Sequence, residues 1–319
     1  MALNAGSSPS SLMVEDNNSE SDPLRINIEM LRDHMGLPRR SDGSPPRFTP
    51  GVTALFFIET APPSSRGSRC KLPTCTKGPI NPGQYRIALN PSMDYGNFMR
   101  GREGTADFYH LRCFEMIADF SQISYLKRVN PVTRSTFNLR GIKASSMMDG
   151  NYLLDGGAER LVLQWKVERG RQIDERDDAP IHDQPPLAQD FADLLKRAGE
   201  PGFQAQKPEG MEFSEFRNLT TILAPNESDG PEDDEVWNLF DEFLYTREPG
   251  SLDNRHDLSD MLETWQSYSM LATEDESMLN AAGLEAKAKL RPKDIRALQR
   301  LSRIPMLDFQ SIFFHGTTR

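Results

Sequence analysis

Three cysteines and one histidine fall within 44 residues, and the chain carries no other thiol. They run Cys70-x4-Cys75, then 34 intervening residues, then His110-x2-Cys113. Thiolate sulfur and imidazole nitrogen are donors that zinc favours, and three of the first with one of the second complete a tetrahedron. Such a site builds structure, because four protein donors leave no coordination position for a reacting water. The x2 spacing lets His110 and Cys113 reach one ion from a single turn, and Pro73 stiffens the turn between Cys70 and Cys75. Lys71, Lys77 and Arg112 lie close by and favour thiolates over thiols. A lone cysteine or histidine is usually a buried core residue. Here all three thiols sit at ligand spacings, so the expectation is one structural zinc ion held by Cys70, Cys75, His110 and Cys113. Met1 to Ser21 carries no apolar signal segment. A reducing compartment is therefore expected, where clustered thiols favour metal over disulfide.

The elements that must position these ligands read as follows. Ala54–Glu59 and Gln84–Leu89 are strand-like, the second with Tyr85, Ile87 and Leu89 alternating onto one face after the turn Asn81-Pro82-Gly83. Asp107–His110 is a short strand, and a helix over Leu111–Phe120 follows it. Asn90–Thr105 reads as a long loop, and Val129–Gly141 as a basic extension with a weak strand signal. Residues 1–50 read as a mostly disordered arm with one short helical pattern at Leu24–Leu37. Asp155-Gly156-Gly157 introduces a helix over Ala158–Arg169 with Leu161, Val162 and Trp165 as its apolar stripe, and 171–186 reads as a charged linker. Beyond it, helical patterns over Leu187–Ala198, Met211–Leu223, Val236–Tyr245, Leu258–Met270, Glu276–Lys289 and from Pro292 alternate with acidic gaps such as Pro225–Glu235. The fold class expected is α+β: a small zinc-stabilised module of short antiparallel strands plus a helix over 52–143, then an acidic, mainly helical, partly disordered region over 187–319.

Composition agrees. Hydrophobic content is 37%, and with 23 prolines and 22 glycines it points to long segments outside any core. No apolar run reaches about 18 residues, so no membrane span is expected. The net charge of -10 hides an asymmetry: residues 64–143 carry 13 Lys/Arg against 5 Asp/Glu, or +8, and the rest of the chain carries -18. A polyanion responds to charge within a Debye length, so the cysteine-bearing segment presents itself as basic.

The spacing differs from the two-Cys, two-His finger, whose central gap is about 12 residues. It resembles the PARP-type zinc finger. The likeness is carried by Arg69-Cys70-Lys71-Leu72-Pro73-Thr74-Cys75, by Ile80-x2-Gly83-x-Tyr85-Arg86-Ile87-Ala88, and by Asp107-Phe108-Tyr109-His110-Leu111-Arg112-Cys113-Phe114. It spans at most residues 52–143, and it departs from the family in its x4 first pair, where the family has x2. That resemblance implies a module that detects DNA strand breaks, gripping phosphates with basic residues and covering an exposed terminal base pair with apolar side chains. The implied contacts are Arg66, Arg69, Lys71, Lys77 and Arg86, with Tyr95, Phe98 and Met99 on the loop. Met93 shares that loop; its apolar residues are either a stacking cap or a lid over the zinc core, and Phe108 and Tyr109 suit the core.

Nothing else in the chain resembles a transferase or ligase domain. His182, His256 and His315 lie scattered in polar loops without a convergent acid, base or nucleophile, so catalysis is not expected. The expectation is a non-catalytic, zinc-dependent, nuclear protein that binds DNA ends or nicks. The alternative is a structural zinc module that docks acidic protein segments, its own acidic tail among them, with the helical region recruiting protein partners.

Overall fold

The chain's computed structural model describes residues 23–46, 53–63, 67–93, 106–133, 136–147, 150–178, 238–244 and 251–303. The helical patterns at Leu187–Ala198 and Met211–Leu223 and the acidic run Pro225–Glu235 lie outside these residues. The architecture is α+β around a four-stranded sheet.

Helix α1 (Pro23–Met35) precedes strands β1 (Leu55–Thr60), β2 (Tyr85–Asn90) and β3 (Asp107–His110). Short helices α2 (Leu111–Glu115) and α3 (Ile123–Leu126) lead to β4 (Val129–Pro131). The sheet order is β3-β2-β1-β4. The β1–β2 and β2–β3 pairs are antiparallel, as expected, but β4 runs parallel to β1, so the sheet is mixed. The connection through α2 and α3 brings the chain back to the far edge in the direction of β1, which a tight hairpin cannot do. Pro131, which lacks a ladder donor, ends this edge strand.

Both faces of the sheet are covered, which explains the uninterrupted apolar run of β1. Phe56, Ile58, Ile87, Leu89 and Tyr109 face the main core with Phe114, Ile117 and Tyr125. Phe57 and Ala88 face a second cluster with Val132 and Leu153. The helix expected over Leu111–Phe120 is shorter, ending at Glu115, because Ile117 and Phe120 bury from turns that follow it.

Helix α1 forms within the helical pattern expected at Leu24–Leu37, and it packs on the core rather than lying in an arm. Its Leu31 and Met35 are buried in the main core, and Arg128 donates to the Met35 carbonyl at 3.1 Å. Two four-residue helices, α4 (Phe137–Arg140) and α5 (Ala144–Met147), then lead to α6 (Gly156–Arg176). Helix α6 runs past the expected end at Arg169 and takes in the start of the expected linker. Ile173 continues the buried stripe, and the charges beyond Gly170 form its solvent face, where Arg171 pairs with Glu168 and Glu175.

The distal helices join the same core. The expected helix at Val236–Tyr245 is, in its described part, one 3-10 turn (Leu239–Glu242), from which Phe240 and Phe243 pack on Trp265. Helix α7 (Asp257–Thr273) buries Leu258, Met261, Leu262 and Trp265, spaced at three and four residues. The pattern at Glu276–Lys289 divides into a 3-10 turn (Glu276–Met278) and α8 (Ala281–Ala288), which Asn280 caps. Helix α9 (Pro292–Leu301) opens on its proline, as expected, and buries Ala297, Leu298 and Leu301. No described helix is long and apolar enough to cross a membrane.

Asp155 joins three of these elements. It caps α6 by accepting from the Ala158 N–H at 2.8 Å, accepts from Trp265 Nε1 of α7 at 3.0 Å, and accepts from the Tyr85 hydroxyl of β2. Burial raises its carboxyl, and these donors, Tyr85 foremost, pull it back. Next to it, a Cβ built on Gly157 would stand 2.0 Å from the Trp265 indole. Gly157→Ala is therefore expected to lower stability by about 1–3 kcal/mol through overpacking, read as a lower urea midpoint with an unchanged m-value.

Candidate metal centre

The ligands come from two pieces of backbone. Cys70 and Cys75 sit on a loop closed by an antiparallel bridge between Ser68 and Ile80. Gly67 enters that loop at φ +63°, with the Ile80 carbonyl 3.0 Å from where a Cβ would stand, so a larger residue is strained in its backbone and crowded by that carbonyl. Leu72 is buried and anchors the loop, and the Cys75 N–H returns to the Leu72 carbonyl at 3.0 Å. The Lys71 N–H donates to the Phe108 carbonyl at 2.8 Å, which ties this loop to β3. His110 ends β3 at the residue just before α2, without capping it through its side chain, and Cys113 follows within that helix.

The four donor atoms lie within 4.8 Å of one another. Cys75 Sγ is 3.5 Å from His110 Nδ1 and 3.6 Å from Cys113 Sγ, and Cys113 Sγ is 3.8 Å from His110 Nδ1. Metal–sulfur bonds of about 2.3 Å and a metal–nitrogen bond of about 2.0–2.1 Å give tetrahedral edges of roughly 3.5–3.8 Å. These three separations match those edges, all four donors lie within 4.8 Å, and the Cys75–Cys113 sulfur separation is far too long for a disulfide, at about 2.05 Å. The group can hold a metal ion. Without one, its thiols oppose each other. A hydrogen bond from Cys113 holds Cys70 below the usual thiol range, and the same bond, together with burial, pushes Cys113 up. A cation relieves this competition by accepting all three thiolates.

The short α2 also carries two contacts to α7. Arg112 pairs with Asp260 at 3.1 Å. Glu115, only 1% exposed, accepts from the Ser259 N–H at 3.0 Å and from its hydroxyl at 2.6 Å, so it caps α7 from outside that helix. Burial pushes Glu115 up to about 8 and pulls His256, 3.2 Å away, below its usual value. Their contact at neutral pH is a hydrogen bond more than a full ion pair. Lys77, two residues past Cys75, lies 3.8 Å from Glu263 of the same helix. The acidic face of α7 thus lies along the metal loop.

The remaining expected contacts divide. Arg69 is exposed, and Lys71 is half exposed, 3.7 Å from Asp107. Arg86 is a correction. It is 2% exposed, stacks 3.8 Å over Phe108 and donates to Glu59 at 2.8 Å, while Arg140 donates to the other Glu59 oxygen at 2.9 Å. On β2 it shares a sheet face with Glu59 and Ala88, so it closes an internal charge network and faces no solvent. Tyr109 is fully buried, as its core reading requires, and Phe108 is the plate on which Arg86 lies. Arg66, Tyr95, Phe98 and Met99 lie outside the described residues. Glu59 and Glu115 were not singled out from the sequence. Each is a lone acid at the end of or within an apolar run, which is the available signal for a buried carboxylate. No family model, no curated protein and no solved structure matches this chain.

Cys113→Ala should reduce bound metal from one ion per chain to nearly none and abolish the cooperative thermal transition, both readable by elemental analysis and calorimetry. Glu115→Ala should retain the metal and lose about 1–3 kcal/mol of stability, because the α7 N-terminus loses its acceptor. Metal loss in the second variant would show that Glu115 serves the ligands and not the helix.

Proposed function

We propose that the chain is a zinc-dependent, non-catalytic DNA-binding protein that engages duplex ends or nicks without sequence preference, and that it acts in the nucleus. The observation that carries this reading is the Cys3His cluster, its four donor atoms within 4.8 Å of one another, beside exposed Arg69 and Lys71. Zinc suits the donor set, and four protein donors close the ion to water, which favours a structural role over hydrolysis. Residues 64–143 carry +8 along the sequence, and although Arg86, Arg140, Arg112 and Lys77 are matched by acids from outside that segment, exposed Arg69 and Lys71 remain for sequence-independent attraction to phosphate. The resemblance to PARP-type fingers adds strand breaks as the feature detected. Arg66 and the loop residues Tyr95, Phe98 and Met99 belong to this proposal through that resemblance.

A second reading has its own observation. Asp260 and Glu263 of α7 pair with Arg112 and Lys77 beside the ligands, so an acidic helix is already a partner for this basic loop. A module that docks acidic protein segments would use the same complementarity.

Binding of the full chain to nicked or blunt-ended duplex is expected to exceed binding to a covalently closed circle of the same sequence. With about four phosphates neutralised, log K should fall against log salt with a slope near -4. A flat salt response, or equal affinity for ends and circles, favours the protein-docking reading.

A further inference from the structure

One side of helix α7 follows the candidate metal loop. Asp260, Glu263 and Gln266 recur every three residues, which keeps them on one side of the helix. Asp260 Oδ1 lies 3.1 Å from a terminal nitrogen of Arg112 on α2, and Glu263 Oε1 lies 3.8 Å from Lys77 Nζ. Gln266 donates to the Gly83 carbonyl, just ahead of β2, at 2.8 Å. The stripe therefore touches both pieces of backbone that supply the candidate ligands.

The four charged side chains are 41–55% exposed, so a polyanion in solution can reach them. What it meets there is two cations already matched by two anions. Surface pairs of this kind are weak and screened by salt, so a phosphate can exchange for either carboxylate. The carboxylate itself cannot leave. Helix α7 is held by Leu258, Met261, Leu262 and Trp265, all fully buried, by the hydrogen bond from the Trp265 indole to Asp155, and by the buried Glu115 at its start. A displaced acid stays within the screening length, ~10 Å at 0.1 M salt, where it repels the phosphate that replaced it.

We propose that Asp260 and Glu263 are specificity-determining residues that withhold Arg112 and Lys77 from phosphate. The inference rests on the nucleic-acid reading above, and it removes Lys77 from the contacts that the family resemblance implies.

The test measures binding of the full chain to a blunt-ended duplex and to a closed circle of the same sequence across a salt series. Asp260→Asn with Glu263→Gln keeps both side-chain shapes and removes both charges. It should tighten binding to each duplex about tenfold at about 0.1 M salt and steepen the fall of log K with log salt by about 2, because two further phosphates are neutralised. Adding Lys77→Gln and Arg112→Gln should abolish that gain. Glu274→Gln with Glu276→Gln removes the same charge from exposed positions, about 16 Å or more along the axis from Glu263, and should change affinity by less than about twofold. The inference is overturned if the substitutions at 260 and 263 gain no more than those at 274 and 276, or if their gain survives the loss of Lys77 and Arg112. A wild-type preference for ends leaves the DNA-end reading standing in either case. Ends and circles bound alike by the wild type, with the gain present on both, removes the end reading and keeps the inference.

Discussion

A helix of five residues cannot support itself, and this structure hangs two of its halves on one. Helix nucleation fixes several residues for a single hydrogen bond, so isolated helices below about 12–15 residues are marginal in water. Helix α2 spans only Leu111–Glu115, and no side chain caps its start. It carries a candidate metal ligand at Cys113, follows another at His110, and offers Glu115 and Arg112 to α7. Its conformation must be imposed from outside. The ligand set imposes it on one side, by requiring His110 and Cys113 to converge with a loop 34 residues upstream. Burial of Phe114 against Phe56 and Tyr109 imposes it on the other. The candidate metal centre is thus less a separate module than the fastener between a sheet edge and a helical layer.

Buried carboxylates mark the joints. Asp155 joins β2, α6 and α7, Glu115 joins α2 to α7, and Glu59 joins β1, β2 and α4 through Arg86 and Arg140. A charged or polar group taken from water is tolerated when its partners are complete, and removing one partner leaves a large penalty. These joints add geometric specificity to a core whose apolar contacts alone would permit sliding. They also explain how a chain with only 37% hydrophobic residues builds a continuous core from Leu31 to Leu301.

Local pattern exposed what local pattern encodes. The ligands, the three strands at 55–60, 85–90 and 107–110, and the proline start of α9 follow from spacing and residue type. Long-range pairing left weaker marks. Nothing in Val129-Asn130-Pro131 indicates that it pairs parallel with β1, because that register is set by a crossover rather than by a turn. The charges of residues 171–176 look like a linker until Ile173 is seen to be buried under them. Arg86 illustrates the sharpest loss. Its position in a basic segment suggests phosphate, yet strand alternation places it beside Glu59, and one acid 27 residues away decides its role. Charge counted along a sequence overstates the charge that a surface presents.

That correction bears directly on how an acidic protein can meet a polyanion. The segment 64–143 carries +8, but Arg86 and Arg140 are spent on Glu59, and Arg112 and Lys77 face Asp260 and Glu263. Among the described residues, Arg69 and Lys71 beside Cys70 stay exposed, as do Lys127 and Lys143 farther along the chain. At physiological salt the screening length is about 8 Å, so more distant acids of the helical layer subtract little from them. Charge therefore has to be read from the folded surface, where Lys77 and Arg112 meet acids that lie far from them in sequence.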